Sequence, residues 1–421
     1  MNTKFPLVLY SLVIILSQCI GSKYYVSLHS KLMRRLHSKS KTSTETNETN
    51  GPTEPFLRVC YFSLEEDTVH KSFYPISVLD GNLCSHIILG FASIDPTSLT
   101  VVPGRPIDPE IYIRISFWKR TMFPSLKLMI SLGGGGNTVG FHEACLTKES
   151  RSKLIGSITQ LMVNYNFDGI DLDWEFPAWS VYDVDRDNFA LLLRGIRERF
   201  DSIKTETGRE LILSIAVSAS LNIITVSYDI NAINSTVDFI NLMSYDYHSF
   251  SNIFPFVEFN APLFRRESEE GLLSTFNVNW SSWYWTSVLG IPKRKLVIGI
   301  PSFSHNFWLI SNSSTGPGSP SSGDAGEFTF SQVCDFLSKP SSAYVFDKQA
   351  GVPYAYDNHL LWSSFDDSKS IYLKAVFIRD RGFGGSMLYD LNSDDYRFKC
   401  SLNKRFVLQN IIKDVLTGKM T

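Results

Sequence analysis

Eight short runs of β-branched and other apolar residues, separated by segments long enough to be helices, constrain the fold of this chain more than any other feature of its sequence. The runs are Arg58 to Phe62, Ser85 to Ser93, Lys127 to Ser131, Gly169 to Trp174, Leu211 to Ser218, Val237 to Tyr245, Leu296 to Pro301 and Gly385 to Leu391. Strands spaced in this way cannot pair as hairpins, so they predict repeated βα units and a parallel sheet. Eight strands close such a sheet, and the expected fold is an α/β protein of the (β/α)8 TIM-barrel type. Between the fourth and fifth runs, Arg186 to Lys204 places Phe189, Leu192, Leu193, Ile196 and Phe200 at three- and four-residue steps, the pattern of a helix with one buried face. The stretch from Ser302 to Phe383 is too long for one crossover helix and holds strand-like pieces at Ala343 to Phe346 and Tyr354 to Trp362. It is expected to be a small inserted α+β lobe walling one side of a cleft.

The flanks predict a targeted protein. Lys4 precedes the apolar run Phe5 to Leu16, and small residues follow up to Ser22, so residues 1–22 are expected to be a signal peptide, with a signal anchor as the alternative. The run is shorter than the roughly 20 apolar residues of a membrane span, and Lys23, Lys31, Arg34 and Arg35 on its far side oppose a type II orientation. The expected location is extracellular, with membrane attachment only if the segment is retained. Residues 23–55 lack apolar periodicity and read as a flexible linker, leaving 56–415 for the barrel, with the lobe at 302–383 inside it. Cys19 belongs to the targeting segment, and Cys60, Cys84, Cys145, Cys334 and Cys400 show no zinc-type spacing. In an oxidising compartment five such cysteines imply two disulfides and one leftover thiol. The sequons at Asn47, Asn234, Asn279 and Asn312 suit that compartment. A formal net charge of -2 gives no electrostatic footprint for nucleic acid.

The chemistry concentrates in the segment Phe167-Asp168-Gly169-Ile170-Asp171-Leu172-Asp173-Trp174-Glu175-Phe176-Pro177. Alternate residues of a strand share a face, so Asp171, Asp173 and Glu175 form one acidic file while Ile170, Leu172 and Trp174 turn toward the helices. An ordinary solvated strand face would also show alternating acids. Here the other face is apolar and covered, so the acids point into the barrel lumen, where charge is costly without a purpose. Carboxyl groups spaced about 6 to 7 Å apart along such a strand resist joint ionisation, and at least one should hold its proton toward neutral pH. A protonated carboxyl is what a general acid needs. A carboxylate metal site for Mg or Ca is the competing reading, but no histidine pattern accompanies the acids, and neither metal nor cofactor is expected.

At these residues the chain resembles glycoside hydrolase family 18, the chitinases and chitinase-like proteins, whose DxxDxDxE pattern is met by Asp168, Asp171, Asp173 and Glu175. The resemblance runs from about Phe56 to Cys400. Val59-Cys60-Tyr61-Phe62 and Cys84-Ser85-His86-Ile87 look like the first two strands, Ser131-Leu132-Gly133-Gly134 like the SxGG of the third, Met243-Ser244-Tyr245-Asp246 like the MxYD of the sixth, and Gly384-Gly385-Ser386-Met387 like the eighth. It implies disulfides Cys60 to Cys84 and Cys334 to Cys400, with Cys145 alone. It also implies hydrolysis of β-1,4-linked N-acetylglucosamine polymers such as chitin by substrate-assisted retention, an exception to the two-carboxylate scheme. Glu175 is then the acid, Asp173 orients the acetamido group, Asp171 tunes Asp173, and Tyr245 bonds the acetamido oxygen. Asp246, Met243, Tyr389, Tyr61, Phe91, Gly134 and Gly135 are the implied sugar contacts, chitin or its oligosaccharides the partner, and a monomer the working form.

The chain departs from the family where sugar rings are usually gripped. Gly135 stands where a Trp commonly follows SxGG, Glu65 where one ends the first strand, and Tyr389 where a Trp forms the floor under the cleaved sugar. Phe303 and His305 replace a Tyr and an Arg, and the HGSW-like stretch reads His248-Ser249-Phe250-Ser251. Losing ring stacking weakens the binding that carries substrate toward its transition state. Trp179, Trp308, or the group Trp280, Trp283 and Trp285, are other candidate rings, with core packing as their plainer explanation. The sequence therefore supports a chitinase, and as alternative a weak or inactive chitinase-like lectin.

Overall fold

The computed structural model describes residues 55–64, 76–179 and 181–420. The targeting segment, nearly all of the linker, Cys19, Asn47 and Glu65 lie outside the described residues.

Eight parallel strands, Leu57–Ser63, His86–Asp95, Lys127–Gly133, Gly169–Asp173, Ile212–Ser218, Phe239–Met243, Leu296–Pro301 and Gly385–Tyr389, pair in chain order. The eighth pairs with the first and closes the barrel. Each falls on its expected run with ends shifted by at most two residues. A further strand, Thr100–Pro103, pairs antiparallel with the second.

The alternation of the strands explains the two layers of the core. Outward residues such as Ile87, Leu89, Ile130, Ile170, Leu172, Leu213 and Ile215 pack with helix residues including Leu154, Ile158, Leu192 and Ile196 in one buried layer. Full burial of one such side chain stabilises by roughly 1.5–3 kcal/mol, so this layer dominates the stability of the domain. Inward, Val59, Ile88, Met129, Phe239, Val297 and Met387 fill the lumen, so the barrel is a packed core and not a pore. The helix expected over Arg186 to Lys204 runs over Asp185–Thr207 and stops at Gly208, whose φ of 72° is the left-handed cap that glycine adopts freely.

After the seventh strand the chain forms a five-stranded antiparallel sheet in the order Ser321–Thr329, Phe303–Leu309, Leu361–Ser364, Val352–Asp357 and Ser342–Asp347, with the helix Phe330–Leu337 beside it. This is the α+β lobe. Two details differ from the sequence reading. Tyr354 to Trp362 is two strands and not one piece, because Asp357 Oδ1 accepts from the backbone N–H of His359 and Leu361 and turns the chain between them. The helix Ser368–Arg381, inside the span 302–383, packs on the seventh and eighth barrel strands, since a parallel crossover needs a helix there.

The disulfides are Cys60 to Cys84, joining the first strand to the approach of the second, and Cys334 to Cys400, joining the lobe helix to the segment after the eighth strand. Cys145 is free and buried. One buried ion pair fastens the helix Ser368–Arg381, with Lys374 Nζ 2.6 Å from Asp366 Oδ2 and both side chains almost fully enclosed. Leaving Asp366 buried without its cation should cost about 3–5 kcal/mol. Lys374→Met is therefore expected to lower the unfolding midpoint strongly in a denaturant titration, and an unchanged midpoint would refute this role.

Candidate active site

Register places the site before any side chain is considered. Ser131, Asp171 and Ser214 are partners across the third, fourth and fifth strands, so their side chains stand side by side in the lumen. Asp171 is fully buried and accepts four hydrogen bonds, from Tyr61 Oη at 2.7 Å, Ser131 Oγ at 2.8 Å, Ser214 Oγ at 2.6 Å and Asn241 Nδ2 at 3.1 Å. Burial raises its pKa, and the four donors pull the other way without cancelling it. Tyr61, an expected sugar contact, thus spends its hydroxyl on a carboxylate. Ser214 and Asn241 escaped the sequence reading, although each is a polar residue at inward parity on a largely apolar strand.

One turn of the pleat higher, Asp173 is 3% exposed and its Oδ1 is buried without a hydrogen-bond partner. Burial first, then the charges of Glu175 and Asp171, hold it well above the usual carboxylate range. The strand ends at Asp173, and Glu175 lies just beyond its C-terminal end, the face where barrel enzymes carry their chemistry. Burial, and after it the charge of Asp246, push Glu175 up to about 7. Between them Trp174 faces outward, stacked on Phe141 at 4.9 Å and edge-on to Phe189, so the parity of the acidic file is locked by packing. The remaining acid of the motif, Asp168, sits before the strand at the opposite end. It accepts from Leu128 N at 2.7 Å and pairs with Lys119 at 3.0 Å, which is a structural duty.

A cavity of about 220 Å³ opens beside Glu175, lined among others by Phe176, Ser218, Ile223, Met243, Tyr245, Asp246 and Phe276. The Tyr245 hydroxyl has the Met387 sulfur, 3.9 Å away, as its protein contact, a weak partner that leaves it able to bond a ligand. Asp246 takes a left-handed φ of 56°, held by its N–H donating to Asn260 Oδ1 at 2.8 Å, and its side chain is half exposed. Tyr389 stacks on Tyr245 at 5.9 Å and meets Tyr61 at 5.4 Å, while Phe303 stands edge-on to Tyr245 at 5.8 Å. These rings pack beside the hollow and leave it open.

The glycines after the third strand form a tight turn, with Gly134 N donating to Asp173 O at 2.8 Å. A side chain at Gly134 would strike the Phe91 ring, whereas one at Gly135 would meet nothing nearer than Glu175 Oε1 at 3.8 Å. Gly135 therefore leaves one flank of Glu175 bare. Of the other candidate rings, Trp285 is core, its indole donating to Ser218 O at 3.1 Å, and Trp280 stacks on Tyr284 at 4.9 Å. Neither these nor Trp179, Trp283 and Trp308 line the cavity. Among the described residues no cluster of histidine, cysteine and carboxylate side chains could hold a metal ion. Because Asp246 helps to raise Glu175, Asp246→Asn is expected to lower the pH at which Glu175 titrates below about 7. Carboxyl carbon NMR of both proteins measures it; an upward or absent shift would contradict the coupling.

Comparison with known proteins agrees with this geometry. The sequence pattern of the glycosyl hydrolases family 18 matches residues 58–394. Mouse chitotriosidase-1 is 31% identical over 80% of this chain and 73% of its own length, and human chitinase-3-like protein 2 is 31% identical over 84% of this chain and 91% of its own. Among solved structures, human YKL-39, described as a pseudo-chitinase with retained chitooligosaccharide binding, superposes with a TM-score of 0.79 at 30% identity, covering 86% of this chain and 100% of its own. A closed barrel, an inward file of acids ending in Glu175, and this match over most of the chain together make the protein a member of glycoside hydrolase family 18.

Proposed function

We propose that the protein hydrolyses β-1,4-linked N-acetylglucosamine polymers, with the substrate's own acetamido group as nucleophile. The observation that carries this reading is Glu175 at the edge of the cavity with its proton held up to about 7, above a buried Asp173 oxygen that lacks a partner. An acid whose pKa lies near the working pH serves best for proton transfer. Glu175 gives its proton to the glycosidic oxygen as that bond breaks, and the acetamido carbonyl oxygen attacks the anomeric carbon to form an oxazolinium ion. Asp173 accepts the acetamido N–H and balances the positive charge, while the Tyr245 hydroxyl donates to the acetamido oxygen. Asp171, fixed by four donors, keeps a negative charge under Asp173 and sustains its affinity for protons. Water then opens the oxazolinium ion, giving a proton back to Glu175, and the configuration is retained. Asp246 and Met243 line the cavity, and Tyr389, Phe91, Gly134 and Gly135 are the further proposed sugar contacts.

The second reading is a chitinase-like protein that binds such oligosaccharides with little turnover. It is favoured by Gly135 and Tyr389, which supply less stacking surface than Trp, and by the pseudo-chitinase among the relatives. The intact Glu175 favours the first. We further propose that the protein works as an extracellular monomer, a location supported by two disulfides. Among the described residues no helix is long and apolar enough to cross a membrane.

Purified protein is expected to release products from a ladder of chito-oligosaccharides, and Glu175→Gln to lower kcat by about 10²–10⁴-fold, the scale of general acid catalysis. Equal rates for the two proteins would remove the enzymatic reading in favour of the lectin. Gly135→Trp is expected to strengthen binding of oligosaccharides of four or more sugars by about 3- to 10-fold, the worth of one aromatic contact. Calorimetry with chitotetraose tests this, and weaker binding would mean that the bare flank is occupied by the ligand itself.

A further inference from the structure

His305 stands on the lobe strand Phe303–Leu309, yet its ring reaches the barrel's catalytic rim. Its Nε2 lies 2.7 Å from Asp246 Oδ1, and its Nδ1 lies 3.1 Å from the backbone carbonyl oxygen of His248. A carboxylate and a carbonyl are both acceptors, so each ring nitrogen needs its own hydrogen. Only the imidazolium satisfies both. A bare Nδ1 would aim its lone pair at the His248 carbonyl, and the one group able to donate to it, the Ser249 hydroxyl, is farther away at 3.4 Å.

The groups around the ring agree with a cation. Asp246 and His248 face it from the segment after the sixth barrel strand, and Glu327, its cross-strand neighbour, lies 3.9 Å from Nε2 with Asp324 beyond on the same strand. Burial pushes His248 down to about 4, so it adds no competing positive charge near neutrality. Burial also works against a charge on His305, but Asp246, Glu327 and the His248 carbonyl outweigh it and the pKa is raised. Asp246 in turn is the charged neighbour that acts on Glu175.

We infer that His305 is a positioning residue that works as an imidazolium, fixing Asp246 at the rim and tempering the negative field that Asp246 casts on Glu175. The kinetic consequence rests on Glu175 being the acid, whereas the charge coupling does not. Because the folded pKa of His305 is raised, its ion pair stabilises fully below the unfolded value of about 6.5 and is lost as pH climbs through the folded value. Once it is lost, Asp246 acts on Glu175 unopposed, and Glu175 keeps its proton to a higher pH.

The test uses the whole protein and two kinds of reading. Nitrogen NMR of the His305 ring in the wild type at pH 6 is expected to show both nitrogens protonated; a neutral ring with one proton overturns the inference and needs no variant. His305→Gln is expected to move the Glu175 titration, followed by carboxyl carbon NMR, upward by about half a unit or more, a roughly threefold change in proton affinity. His305→Arg, a permanent cation, should not raise it. In kcat/KM against pH the alkaline limb should follow, rising for Gln and not for Arg, a pattern that simple loss of packing would not give. If Glu175 titrates identically in wild type and Gln variant, the inference fails. If the NMR shifts appear and no protein turns over chito-oligosaccharide, the proposed hydrolysis fails and the role of His305 stands.

Discussion

The four hydrogen bonds to Asp171 are the constraint on which the rest of the site depends. A carboxylate with no exposure is tolerated only when its oxygens are satisfied, and here the donors come from the first, third, fifth and sixth barrel strands. No pair of neighbouring strands could supply them. The closure of the barrel is thus what makes the charge possible, and that charge adds to burial and to Glu175 in raising the proton affinity of Asp173 above it. The same crowding that would weaken an ordinary core gives this one carboxyls of raised proton affinity.

Much of this was legible in the sequence because it follows from period. Eight strands and the outward parity of Ile170, Leu172 and Trp174 are local patterns, and local patterns survive folding. The acids Asp171, Asp173 and Glu175 could be read for the same reason. What was not legible depends on register between strands far apart in the chain. Ser214 and Asn241 become partners of Asp171 only when the strands align, and so does the Tyr61 hydroxyl. Asp168 shares the motif's spacing but lies across the length of the strand from the chemistry, a distinction that spacing alone does not carry. The turn at Asp357, which splits one expected strand piece in two, is a matter of side-chain hydrogen bonding to backbone and has no periodic signal.

The departures from the family pattern spare the acids Asp171, Asp173 and Glu175. Tyr389, Phe303 and Tyr245 make a compact group of rings beside the cavity. Under the proposed function, turnover and sugar affinity would therefore depend on different residues. A relative that keeps oligosaccharide binding as a pseudo-chitinase shows that the two properties can separate on this fold.

The lobe that carries Phe303 and His305 is fastened at several points. Its helix is joined to the segment after the eighth strand by Cys334 and Cys400, and beside that bond Phe330 N donates to Ser393 O and Ser331 Oγ to Asp395. These ties hold the lobe to the segment that follows the eighth strand. Under the proposed function, a polymer would meet a surface already ordered at folding, so that part of the ordering cost would be met before encounter.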